Sequence, residues 1–397
     1  MKVYLVVLLA ILSSIGQRGG KVLTSLSALE IGASAFTVGV LAATYAVFPL
    51  LLAVVAGRIS DRLGVRFPIM LGALVMALGI FIPAINTGSL ALLFLCPALA
   101  GLGHIFLHVS IHNAVGAFGD RSDRAKNFGT FALGASIATF IGPALAGIAI
   151  DHLGYRPAFL IIGGCVLAIT VLVLVFPGIV PAHVKHHDEK RGALDLLQSA
   201  GLRRTLIMSG VALTGIELFS FYFPVYGKSI GLSATWIGLV MSAYAAAAFV
   251  VRLGMGRLVL RYTEIGVLTF SLFVAALTYG LMPFFTNPYA LSAVAFLLGL
   301  GLGSAQPLTI MLTYNHAPPG RSGEALGLRL TANKFTQLLV PLAFGSIGTA
   351  LGVAPVFWAN AVFLLIGGTV SYLSRSTLHE APVDAAPKPI DELEETK

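Results

Sequence analysis

The chain has 397 residues, 57% of them hydrophobic and only 11% charged, with a formal net charge of +8 and a mean hydropathy of +0.91. That leaves too few polar residues to coat a soluble globule. Cys96 and Cys165 are the only cysteines and both fall inside apolar runs, so a disulfide framework is excluded as the basis of the fold.

Twelve apolar runs are long enough to cross a bilayer at about 20 residues each. They lie roughly at 4–28, 35–56, 68–86, 90–114, 128–150, 156–178, 203–227, 234–256, 264–285, 289–313, 325–350 and 354–374. None alternates with the period of a barrel strand, so the predicted class is an all-α integral membrane protein. Lys2 before Val3–Leu12 resembles the start of a signal peptide, but the run continues towards Leu29 without a small-residue cleavage site and reads as the first span.

Arg18 sits near the middle of the first run, with Lys21 one turn further on. Ionisable side chains inside spans are costly and face an interior or a wet cavity, and a buried arginine needs a partner or an anionic ligand. Two readings stand: Arg18, with Lys21, receives an anionic or zwitterionic substrate, or Arg18 pairs with Glu217. After the second run comes the loop Gly57-Arg-Ile-Ser-Asp-Arg-Leu-Gly-Val-Arg66, with three arginines and Asp61 in ten residues.

On the fourth run, His104, His108 and His112 recur at i, i+4 and i+8, which places them on one helix face. The outer two are about 12 Å apart, too far to share one metal ion, so proton relay, hydrogen bonding to substrate and plain packing are the readings weighed. No metal or other cofactor is expected. The fifth run carries Gly134-x7-Gly142-Pro143-x3-Gly147. Small residues allow close helix approach and proline bends the span.

Glu217, in the seventh run, is the one acid near the middle of any run. A carboxylate in apolar surroundings can load and release a proton near neutral pH, which makes it the leading candidate for proton coupling. The alternative is a purely structural hydrogen bond to Tyr222 or Tyr226. Arg252 and Arg257 lie at the end of the eighth run, and Gln306 lies in the tenth. Arg329, Asn333 and Lys334 enter the eleventh, either gating that side or snorkelling to its edge. Gly299-Leu-Gly301-Leu-Gly303 follows no strand, so it is not a nucleotide loop, and direct ATP drive is not expected.

The second half repeats the first. Pro143-x3-Gly147 recurs as Pro341-x3-Gly345 at an offset of 198, and Gly57-Arg58 with Arg62 recurs as Gly256-Arg257 with Arg261 at 199. The 198-residue offset also sets Gln306 against His108. This divides the chain into a first six-helix bundle (1–180), a polar linker (181–202), a second six-helix bundle (203–375) and a tail (376–397) expected to be disordered. Basic residues gather in the even-numbered gaps (Arg58, Arg62 and Arg66; Arg121, Arg124 and Lys126; Lys185, Lys190 and Arg191), which places those gaps and both termini in the cytoplasm. This bias accounts for the net charge without nucleic-acid binding.

The loop resembles the signature between helices 2 and 3 of the major facilitator superfamily. Gly57, Ser60, Asp61, Arg62, Gly64 and Arg66 fit, while Ile59 and Val65 depart from the pattern. The resemblance implies two pseudo-symmetric six-helix bundles that rock about a site near the midplane. It also implies a latch role for Asp61 and Arg62, and a central cavity lined by helices 1, 4, 7 and 10. The unusual polar residues of this chain fall on those four helices. Arg252 and Arg257 are candidates for a second latch, although Leu260 and Arg261 stand where its acid would be. The helix-5 residues Gly134, Gly142, Pro143 and Gly147 are similar to the glycine-proline motif of proton-driven exporters.

The expected function is secondary active transport: proton-coupled export of a small organic compound, anionic if Arg18 receives it, by a multi-pass monomer of the bacterial inner membrane. Proton-symport uptake of an organic acid is the alternative within that class. A non-transporting sensor on the same scaffold is the alternative outside it, and no constellation points to an enzyme.

Overall fold

The computed structural model describes residues 2–117, 121–176, 178, 194–318 and 321–373, and among them there is no strand. In a bilayer every backbone N–H and C=O must be paired internally, which leaves helices as the simple solution for apolar runs of this length. In chain order they are α1 (Lys2–Glu30), α2 (Ala35–Leu63), α3 (Arg66–Phe81), α4 (Leu90–Ala117), α5 (Arg121–Leu153), α6 (Tyr155–Val175), α7 (Ala200–Ser229), α8 (Ala234–Tyr262), α9 (Glu264–Leu281), α10 (Pro288–Leu302), α11 (Ala305–Asn315), α12 (Ser322–Leu351) and α13 (Val353–Leu373).

Two departures from the twelve predicted runs matter for the site. The tenth run is broken into α10 and α11 at Gly303 and Ser304. Among the described residues, eleven segments are long and apolar enough to cross a membrane. The remaining crossing, α12, spans 30 residues but carries Glu324, Arg329 and Lys334. Its polarity reflects what it faces, since Arg329 and Asn333 are buried within the protein.

The helices form two six-crossing bundles. In the first, α3 packs on α4 and α6, and α1 on α4, α5 and α6; in the second, α8 packs on α10, α9 on α13, and α7 on α11 and α12. The bundles meet along α5 with α8, α2 with α12, and α1 with α7. Equivalent serines start equivalent helices: Ser34 Oγ accepts from Thr37 N at the head of α2, and Ser233 Oγ from Trp236 N at the head of α8. The predicted tail and most of the predicted linker lie outside the described residues. The linker's end forms a short 3-10 turn, Leu194–Gln198, beside the second bundle.

The two long seams explain the repeated proline-glycine motif. A Cβ on Gly238 of α8 would run into the carbonyl oxygen of Pro143, and one on Gly39 of α2 into that of Pro341. The backbones touch there, which only glycine permits. The helix-5 motif therefore serves two contacts: Pro143 and Gly147 meet α8 of the second bundle, while Gly142 and Gly134 pack on α1 within the first.

Candidate functional site

Lys21 and Glu217 meet where the bundles face each other. Lys21 Nζ lies 3.2 Å from Glu217 Oε2, and both side chains are largely buried, at 15% and 9% exposure. Glu217 Oε1 accepts from Gln337 Nε2 at 3.1 Å, and Gln337 Oε1 accepts from Lys334 Nζ at 3.0 Å. A four-residue network thus runs from α1 of the first bundle through α7 to α12 of the second. Removing one partner of such a pair strands the other charge in a low-dielectric interior.

This settles the pairing question raised by the sequence. Glu217 is held by Lys21, not Arg18, and by Gln337 rather than a tyrosine. Tyr226 donates instead to the Phe285 carbonyl, and the buried Tyr222 hydroxyl has no hydrogen-bond partner. Lys334 neither snorkels nor sits at the edge, because it bonds into the network. Nothing in the sequence singled out Gln337; an amide one helical turn from Lys334 in a span was the available signal.

Arg18 lines a cavity of about 160 Å³ beside the network, together with Glu217, Arg252, Gln306 and Gln337. Arg252 does not point to the loop end as the second-latch expectation requires. Its Nε donates to the Gly303 carbonyl at 2.9 Å, and its Nη1 to Ser136 Oγ of the first bundle at 2.9 Å. Pro307 leaves that carbonyl free, because proline has no N–H to donate to the residue four back. A backbone oxygen freed at membrane depth is tolerated where a neighbouring side chain satisfies it. Gln306, at the start of α11, is held by Arg329, whose Nη2 donates to Gln306 Oε1 and to Thr309 Oγ1, each at 2.8 Å.

The three histidines share one face of α4 as expected. Ring centroids of His104 and His108 are 5.1 Å apart, those of His108 and His112 4.1 Å, and His112 continues onto Phe131 at 4.5 Å. His104 is buried and its Nδ1 lacks a partner, whereas His108 is exposed. Among the described residues no group of three His, Cys, Asp or Glu side chains could hold a metal ion.

At the signature loop, Gly64 takes φ 75° and ends α2, a conformation suited to glycine. Ser60 Oγ accepts from Asn113 of α4, and Arg66 reaches the Val173 carbonyl of α6. The Asp61 side chain lies outside the described residues. Arg62 and Arg257 are exposed, and Gly57 has open space where a Cβ would sit. The opposite end is bridged repeatedly: Lys228 pairs with Glu30 at 2.6 Å, Thr349 Oγ1 accepts from Phe36 N, and Asp151 accepts from Ala234 N and Thr235 N.

The comparisons agree with this architecture. The Major Facilitator Superfamily model matches residues 6–333 and again 205–395. Multidrug resistance protein MdtG of Serratia proteamaculans is 24% identical over 323 residues, covering 80% of this chain and 78% of that protein. The protein of the same name in Dickeya zeae is 25% identical over 326 residues, covering 80% and 79%. Among solved structures, the nucleoside transporter NupG superposes with a TM-score of 0.81 at 13% identity, covering 94% of this chain and 99% of that one. A bacterial homolog of the human lysosomal transporter Spinster, inward-facing and unoccupied, gives 0.79 at 16%, covering 97% and 99%. The chain belongs to the Major Facilitator Superfamily and is a membrane transporter, not an enzyme.

Proposed function

We propose that this transporter is a proton-coupled exporter of a small organic compound, working by alternating access. The observation that carries the reading is the Lys21–Glu217 ion pair, which bridges the two bundles beside the central cavity. Protonating Glu217 removes its half of the attraction and frees Lys21, so a proton changes how firmly the bundles are held at their centre. The multidrug-resistance relatives favour export, as does the glycine-proline motif of α5. The basic gaps place the signature loop in the cytoplasm. On that orientation the bridged end is external, and the structure is closed to the outside.

Reconstitution in vesicles with an imposed pH gradient tests the reading, with wild type compared against Glu217→Gln. Substrate moving against the proton gradient, with the coupling lost in Glu217→Gln, is the expected result. Co-directional movement would identify proton-symport uptake. Proton-linked flux that persists in the variant would take the coupling role away from Glu217.

A further inference from the structure

Arg18 and Arg252 come from opposite bundles and line the same small cavity. Among the described residues Arg18 makes no hydrogen bond or ion pair. Arg252 has only neutral partners, Ser136 and the Gly303 carbonyl. The one carboxylate on the cavity wall, Glu217, is engaged by Lys21 and Gln337. Guanidiniums from both bundles therefore face one space whose single carboxylate, Glu217, is shared with Lys21, so positive charge is in excess there. Such an arrangement is unfavourable until an anion enters. A guanidinium offers five N–H donors in a fixed fork suited to carboxylate and phosphate oxygens. Arg18 has all five available, and Arg252 keeps those not given to Ser136 and Gly303.

We propose that Arg18 and Arg252 form an anion subsite, and that the transported compound is a small organic acid whose carboxylate, phosphate or phosphonate group bridges them. The proposal rests on the transport reading and names its substrate class. It moves Arg252 from a latch to the binding site. Cavity size sets the scale: about 160 Å³ admits a compact acid group with a short organic remainder. Because the arginines belong to different bundles, the acid also supplies a reason for movement. It draws α1 and α8 together, and a ligand shifts a conformational equilibrium only through such differential contacts.

The test is direct binding to the purified full-length protein in low-salt buffer, by calorimetry and thermal shift. The probes are inorganic phosphate, succinate and the lipophilic cation tetraphenylphosphonium. Phosphate or succinate should bind wild type, lose at least tenfold in affinity in Arg18→Gln and in Arg252→Gln, and keep part of it in Arg252→Lys. Binding in Gly164→Ala, at an open position on α6, should be undiminished. The lysine variant and the melting temperature of each protein separate a lost site from a lost fold. Binding of neither anion, anion affinity unchanged in both glutamine variants, or binding of the cation alone would overturn the subsite. Anion binding by a protein with no proton-linked flux would instead preserve the subsite and overturn the coupling mechanism. Proton-linked flux of a cation would do the reverse.

Discussion

Asp151 and Thr349 stand 198 residues apart and do the same work in opposite directions. Asp151, on α5 of the first bundle, accepts from Ala234 N at 3.1 Å and Thr235 N at 2.7 Å, the first turn of α8 in the second bundle. Thr349, on α12 of the second bundle, accepts from Phe36 N at 2.9 Å, the first turn of α2 in the first. Each bundle thus caps a helix of the other, filling orphan N–H donors that the helix cannot satisfy itself. Only one of the two caps carries a charge, which also meets the positive end of the α8 dipole. The closed end is symmetric in backbone and asymmetric in strength.

Removing the charged cap should loosen that end. Asp151→Ala is expected to cost the closed state about 1 kcal/mol, the usual value of a lost N-cap, or roughly a fivefold shift toward opening. Thr349→Val, with one neutral hydrogen bond at stake, should shift it less. Spin labels on Glu30→Cys and Lys228→Cys in a background lacking Cys96 and Cys165 report the separation. Equal effects from the two substitutions would show that the charge adds nothing.

The glycine seams predict a sharper phenotype. Gly238→Leu and Gly39→Leu each drive a side chain into the proline carbonyl of the facing helix. The backbones can then no longer touch. Such variants should insert and fold yet lose flux by more than tenfold, with the label distances above shifted to the longer population. Gly164 has open space in place of a Cβ, so Gly164→Ala on α6 should transport normally. Normal flux in Gly238→Leu would remove the seam from the transport cycle.

The Lys21–Glu217 pair predicts non-additivity. Lys21→Met alone and Glu217→Gln alone each leave a charge without its partner, a loss of about 3 kcal/mol for a buried pair. Carrying both changes should recover much of that stability. Melting temperatures of the three variants give the cycle. A double variant as unstable as the sum of the singles would mean that the two residues do not act on each other.

Outside the membrane, Arg321 joins the end of the linker to the second bundle. Its guanidinium reaches both carboxylate oxygens of Asp195 and also Glu324. The Arg321 hydrogen bond holds the Asp195 carboxyl below its ordinary value of 3.8. A carboxyl depressed in the folded state contributes above its unfolded pKa and loses that contribution as pH falls through the folded one. The mobility of a spin label on Leu197→Cys should therefore stay low at neutral pH and rise below about pH 4. Arg321→Gln should show the mobile label already at neutral pH. Identical mobility in the presence and absence of Arg321 at neutral pH would show that the contact does not hold the linker.

Much of this was legible in the sequence, and the reason is the solvent. A bilayer demands long apolar runs, so the crossings can be read from composition alone. The duplicated bundle left its period in Pro143-x3-Gly147 and Pro341-x3-Gly345, and the intramembrane charges announced themselves by their rarity. What the runs could not say is which way each side chain turns. Arg18 and Lys21 are one turn apart on a helix that is apolar nearly all round, and hydropathy carries no direction there. Only the rotation of α1 against α7 gave Glu217 to Lys21 and left Arg18 facing the cavity. Likewise, Pro307 leaves the Gly303 carbonyl without its helical donor, but only the packing of α8 on α10 brings Arg252 inward to that oxygen. The membrane fixed which segments are helices, whereas contacts between side chains far apart in the chain decided which charges meet.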